Sequence, residues 1–134
     1  MKNSIKFLFC LFLAINLSSC SDSKDGDWDD NIHLSKDSAT FSAQTDSITV
    51  TTGGDWWWVD AVSVGDENFY NFQDVDLESD NYTVECDDVV VSRRDKNTLF
   101  IKAGENPSEN KRLIVVGLEA GDYFDRVVIW QEGK

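Results

Sequence analysis

The sequence predicts an all-β domain, an antiparallel β-sandwich of about seven strands. Short segments that alternate apolar with polar side chains recur along the chain, and turn residues such as glycine, asparagine and aspartate separate them. No long stretch shows the 3.6-residue period of a surface helix. Several short strands joined by turns are typical of a sandwich.

The signals of strands begin at residue 31, and Phe41 opens the first stretch. Ser47–Thr52 alternates apolar with hydroxyl side chains, and the Gly-Gly-Asp sequence at 53–55 ends it. In the segment 82–86, Tyr82, Val84 and Cys86 share one face, so we expect Cys86 to be a buried small hydrophobe. The other predicted strands are 56–64, 89–91, 98–103, 112–118 and 126–131, with a hairpin turn at 119–125 and a short aromatic segment at 69–72.

Three consecutive tryptophans supply the candidate binding site. In a strand, Trp56 and Trp58 would share one face with Asp60, and Trp57 would face the core together with Val59 and Ala61. Two indoles one pleat apart could form a flat platform against which a sugar ring stacks. Asp60, Glu67 and Asn68 are the expected polar partners for sugar hydroxyls. The alternative is that a neighbouring loop covers Trp56 or Trp58 as an extension of the core.

An acidic segment follows, in which Asp74, Asp76, Glu78 and Asp80 would lie on one face if the chain were extended. Such a row suits a solvated edge whose charge blocks strand-to-strand aggregation. Calcium is the alternative, since it takes oxygen ligands. An EF-hand at Asp25, Asp27 and Asp29 is not expected, because the pattern lacks its glycine and its final glutamate. We expect no metal site and no cofactor.

The first residues resemble a bacterial lipoprotein signal. Lys2 and Lys6 precede an apolar run at residues 7–15, and Leu17-Ser18-Ser19-Cys20 resembles a lipobox. This resemblance implies cleavage after residue 19 and lipidation of Cys20, which would anchor the protein in the outer membrane. The alternatives are an ordinary cleaved signal peptide and an uncleaved anchor.

Residues 20–33 then form a predicted acidic tether, and residues 34–134 the folded domain. An acidic stretch directly after such a cysteine also resembles the surface-export signal of Bacteroidetes lipoproteins. The resemblance implies that the protein is exposed on the cell surface.

Charge and residue content exclude several function classes. The formal net charge is −13, and removal of residues 1–19, which hold two lysines and no acids, changes it to −15. Nucleic acid would be repelled by that charge. His33, the sole histidine, lies beside the tether, so a Ser-His-Asp triad lacks a well-placed base and we expect no enzyme activity.

The order of features resembles the BACON domain over about residues 34–133. The similar segments are the Thr-rich strand that ends in glycines, the Trp-bearing strand, the Asn106–Arg112 run, and the terminal Val127–Gly133. BACON domains are immunoglobulin-like sandwiches of Bacteroidetes surface proteins, named for a suspected association with carbohydrate binding. The resemblance implies an immunoglobulin-like fold, and we interpret Asn106 and Arg112 as structural.

Together these patterns predict a surface lipoprotein with a non-catalytic binding module, whose ligand is a glycan held by Trp56 and Trp58. The alternative is an accessory subunit that docks onto another surface protein.

Overall fold

The computed structural model describes residues 28–134, and nine strands form two sheets within them. The strands are β1 (Ser38–Phe41), β2 (Asp46–Thr51), β3 (Trp58–Val64), β4 (Glu67–Tyr70), β5 (Tyr82–Cys86), β6 (Val89–Arg94), β7 (Thr98–Ala103), β8 (Arg112–Ala120) and β9 (Tyr123–Gln131). The expected signal peptide, Cys20 and most of the tether lie outside the described residues.

The two sheets have the strand order β1-β9-β8-β3-β4 and β2-β7-β6-β5. Only β1 and β9 pair in parallel; the other described pairs are antiparallel. Strands β3, β8 and β9 correspond to C, F and G of an immunoglobulin-like sandwich, and β2, β7 and β6 correspond to B, E and D. The predicted fold class is therefore confirmed.

The core lies between the sheets, where alternate side chains of each strand meet. Tyr82, Val84 and Cys86 are buried, as the period of two predicts. Burial raises the pKa of the Cys86 thiol to about 11. Leu99, Ile101 and the alternate residues of β8 and β9 complete the core from both sheets.

The strand count exceeds the expected seven because β1 and β4 are four-residue edge strands with weak sequence patterns. Strand β7 has the predicted bounds, whereas β8 and β9 extend further and leave a two-residue turn. Gly121 opens that turn at φ 62, a backbone conformation that glycine adopts without strain. The hairpin predicted at 119–125 is therefore confirmed, and its turn is shorter than the whole segment.

The acidic segment is not extended, so the expected row of four carboxylates is wrong. Residues 73–80 form successive turns, and the Asp76 side chain accepts a hydrogen bond from the backbone amide of Glu78 at 3.1 Å. Phe72, Val75 and Leu77 pack against the core and fix this loop to the sandwich. The aliphatic residues between the acids serve as anchors of the loop.

Asn106 and Arg112 make structural contacts, as we interpreted them. Asn106 is buried, and its amide donates to the carbonyls of Asn110 and Glu132 at 2.8 and 3.1 Å. Arg112 forms a two-pronged ion pair with Asp88 at 2.9 and 2.7 Å. These contacts tie the connection between β7 and β8 to the end of β9 and to the β5–β6 turn.

The chain enters the sandwich at the end where β2 terminates. The Ile32 side chain is fully buried, and its carbonyl accepts hydrogen bonds from the amides of Gly53 and Gly54 at 3.0 and 3.1 Å. Asp30 accepts from the His33 amide, and this bond lowers the pKa of that carboxyl. The His33 side chain is 63% exposed.

Candidate functional site

Trp57 belongs to the core, as the sequence predicts. Its side chain is 1% exposed, and its indole nitrogen donates to the Thr52 hydroxyl at 3.0 Å. A buried tryptophan on strand C is a hallmark of immunoglobulin domains, and Trp57 lies directly before the corresponding strand β3.

A β-bulge at Asp60 changes the expected register of β3. Val59 pairs with Leu118 and Ala61 with Gly117, so Asp60 is an extra residue without a partner on β8. Because of this insertion, Val62 and Val64 continue the buried face, and Ala61 is only half-buried. The expectation that Ala61 faces the core with Trp57 is therefore wrong.

Trp56 and Trp58 meet, but they do not form a flat platform. Their ring centroids are 5.6 Å apart and the ring planes are inclined at 79°, an edge-to-face arrangement. Trp56 precedes β3, so the strand pleat does not align the two rings. The Trp56 ring lies over the β8–β9 turn, where a Cβ atom on Gly121 would come within 3.1 Å of it. Even so, Trp56 is 65% exposed and presents much of its ring to solvent.

A cleft of about 390 Å³ opens beside these indoles, at the end of the sandwich where the chain enters. Its lining combines aromatic rings with charged side chains from the β2–β3 connection, the acidic loop and the β6–β7 turn. The lining residues are Asp55, Trp56, Trp57, Trp58, Glu78, Asp80, Arg93 and Lys96.

Arg93 holds the walls of this cleft together. Its side chain is 3% exposed, and the guanidinium lies 4.5 Å from the centre of the Trp57 ring. It donates to the backbone carbonyls of Asp55, Ser79 and Lys96, one from each of the three segments. The sequence does not indicate this role, because Arg93, Arg94 and Lys96 together are typical of an exposed basic turn.

Trp58 connects the cleft to a crowded carboxylate. Its indole nitrogen donates to Glu119 Oε2 at 3.1 Å. Burial raises the pKa of the Glu119 carboxyl, and the negative charges of Asp60 and Asp122 raise it further, against the lowering effect of the Trp58 hydrogen bond. Asp60, one of the expected polar partners, therefore lies near Trp58.

Glu67 and Asn68 do not join the site. They pair with Val64 and Ser63, at the far end of β3 from Trp58. At about 3.3 Å per residue, that end is roughly 15–20 Å away. The side chain of Asn68 instead accepts a hydrogen bond from the Ser63 hydroxyl at 2.6 Å. Sequence proximity suggested the cluster, but the hairpin carries these residues away from it.

Within residues 28–134, no group of three or more histidine, cysteine, aspartate or glutamate side chains is placed to hold a metal ion. The same part of the chain contains no helix that is long and apolar enough to cross a membrane.

Comparison with known proteins shows the fold alone. No protein-family model matches the chain, and no curated protein matches it, so the resemblance to BACON domains stays a prediction. The chain is similar to a protein from Bacteroides thetaiotaomicron solved by NMR, with a TM-score of 0.61, 18% identity, and coverage of 78% of this chain and 89% of that one. A chain of the chaperone–tip adhesion subunit pre-assembly complex from the archaic chaperone-usher Csu pili of Acinetobacter baumannii matches with a TM-score of 0.40 and 10% identity. That match covers 77% of this chain and 57% of the other.

Proposed function

We propose that the protein is a non-catalytic glycan-binding module of BACON type, displayed on the cell surface as an outer-membrane lipoprotein. The observation that carries the proposal is the cleft beside Trp56, where an exposed indole adjoins carboxylates and the ammonium group of Lys96. Sugar rings have apolar C–H faces that stack on indoles, and their hydroxyls bind carboxylates and ammonium groups. Volumes of about 300–1,000 Å³ are usual for small-molecule sites, and the cleft falls within this range.

The two ends of the site have different roles in this proposal. Trp56 supplies the stacking surface, since its ring is open to solvent. Trp58 holds Trp56 by the edge-to-face contact and is itself fixed by Glu119. Lys96 and Asp80, whose charged groups are 3.9 Å apart and half-exposed, can turn toward sugar hydroxyls.

A glycan array with the purified protein and its Trp56→Ala, Trp58→Ala double variant tests the proposal. We expect specific binding that the double variant loses. Trp130→Ala is the matched control, because Trp130 is 48% exposed yet lies on β9 outside the cleft. Binding that persists in the folded double variant would contradict the proposal, as would binding lost only with Trp130.

Lipidation is tested separately through Cys20. We expect radiolabelled palmitate to be incorporated into the protein, and we expect the protein to fractionate with the outer membrane. Both properties should be lost in Cys20→Ser. Protease digestion of intact cells should remove the domain if it is exposed on the surface. Labelling that survives in Cys20→Ser would contradict the anchor.

The alternative, an accessory subunit docked onto another surface protein, is favoured by a second observation. Tyr70, Phe124 and Trp130 are 65%, 60% and 48% exposed on the outer face of the five-stranded sheet. These side chains share one sheet face, and a protein docked on that face would cover them. Cross-linking to a surface protein that persists without Trp56 and Trp58, but is lost in Phe124→Ser with Trp130→Ser, would favour this alternative.

A further inference from the structure

We propose that the cleft selects glycans that carry a protonated amine, such as glucosamine units, over neutral and anionic glycans. This inference rests on the proposed function, because it specifies the ligand of the same site. It follows from the charges that the cleft presents around an exposed indole.

The cleft presents more negative than positive charge to a ligand. Asp55, Glu78 and Asp80 are exposed carboxylates in its lining, and Lys96 is the exposed cation among the lining residues. Arg93 also lines it, but this side chain is almost fully buried and donates to three backbone carbonyls. With both cations counted, the lining carries a formal net charge of −1, and the charged groups that a ligand can touch are three carboxylates and one ammonium.

The neighbourhood of Trp58 adds to this negative field. Burial is the main cause that raises the pKa of the Glu119 carboxyl, and the negative charges of Asp60 and Asp122 raise it further, so like charges lie close together there. An added cation would relieve this repulsion, whereas a uronic, sialic or sulfated sugar would increase it. The carboxylates do not converge as metal ligands anywhere in the described residues, so a diffuse organic cation fits the arrangement better than a bare metal ion.

The exposed indole is an independent reason to expect an ammonium group. A cation over the face of a tryptophan ring is attracted by the negative charge of that face. The Trp56 ring is 65% exposed and adjoins the carboxylates of the cleft. An aromatic face together with carboxylates is a favourable environment for an ammonium group, and a glucosamine ring also offers C–H groups for stacking.

A matched pair of ligands tests the inference, namely the β-1,4-linked hexamer of glucosamine and its fully N-acetylated counterpart. They share a backbone and differ at nitrogen, which is a protonated amine in the first and a neutral acetamide in the second. By calorimetry in 20 mM salt at pH 6, we expect the glucosamine hexamer to bind on the order of tenfold more tightly. The ratio should fall in 500 mM salt, because salt screens charges that solvent can reach.

Two triple variants test whether the carboxylates of the cleft cause the preference for the glucosamine hexamer. Asp55→Asn, Glu78→Gln and Asp80→Asn together should bring the two affinities within about twofold while stacking on Trp56 persists. The control triple variant, Asp66→Asn, Glu67→Gln and Glu85→Gln, removes the same charge at a distance and should keep the preference. Loss of the preference in both would overturn the assignment to the cleft.

The outcomes separate this inference from the proposed function. If the N-acetylated hexamer binds as tightly as the glucosamine hexamer and both need Trp56, the inference fails and the glycan module stands. If neither hexamer nor any arrayed glycan binds the folded protein, both fail together.

Discussion

Arg93 should be among the most costly residues to truncate, even though it belongs to a charged turn. Arg93→Ala removes a guanidinium that donates to three backbone carbonyls and stacks on Trp57. Hydrogen bonds to a charged donor contribute about 1.5–3 kcal/mol each, and the sum is reduced because water in the cleft can reach some of the freed carbonyls. We therefore expect a loss of about 3–5 kcal/mol in the free energy of unfolding.

The neighbouring residue supplies the control. Arg94 lies in the same strand, but it is exposed and stacks on Phe100 at 3.9 Å from the ring centre. An exposed contact of this kind is worth about 0.5–1 kcal/mol, so Arg94→Ala should cost little. Arg93→Lys keeps the charge but loses the planar fork of the guanidinium. Its loss in the free energy of unfolding should therefore lie between those of Arg93→Ala and Arg94→Ala.

Urea unfolding followed by far-ultraviolet circular dichroism measures these differences. Equal slopes of free energy against urea concentration would show that the variants unfold between comparable states. A loss of free energy of unfolding in Arg93→Ala that is no larger than in Arg94→Ala would contradict this prediction. Because Arg93 positions all three walls of the cleft, unchanged glycan binding in a destabilised Arg93→Lys variant, once binding is established, would contradict it as well.

Three further predictions concern single residues. Gly121→Ala should displace the Trp56 ring and shift the tryptophan fluorescence. Gly65 has a similar φ of 59 but open space around it, so Gly65→Ala should lower the free energy of unfolding without shifting the fluorescence. Asn106→Ala should lower the free energy of unfolding by about 2–3 kcal/mol, measured by urea unfolding, because two carbonyls lose a buried donor. Cys86 should resist alkylation at pH 8 until the protein unfolds. Because folding raises the pKa of this thiol from 9.0 to about 11, its contribution to stability should be present below pH 9 and decline as the pH rises through 11, measured by urea midpoints across that range.

The features that the sequence could predict are those decided by local side-chain alternation. Strand β7 and the buried face of β5 follow from a period of two, because each apolar side chain must reach the core from its own strand. The burial of Trp57 follows from the same rule, because Val59, two residues further on, is aliphatic and buried.

Features that depend on a distant partner could not be predicted in this way. The bulge at Asp60 exists only relative to β8, and it changes the face of Ala61. Glu67 and Asn68 lie close to the tryptophans in sequence, but the hairpin between β3 and β4 moves them to the other end of the strand. Arg93 offers no local signal, because its partners come from residues 14 and 38 positions away in the chain.

The entry point of the chain has a geometric consequence for a lipid-anchored protein. Ile32 docks beside Gly53 and Gly54, at the same end of the sandwich as the cleft. If Cys20 carries the lipid, the seven residues from Ser21 to Asp27 span at most about 25 Å even when fully extended. The end of the sandwich that carries the cleft would then lie within a few nanometres of the membrane. Ligands would enter from the side, through the gap between the domain and the lipid headgroups, and long polymers standing away from the cell would be disfavoured.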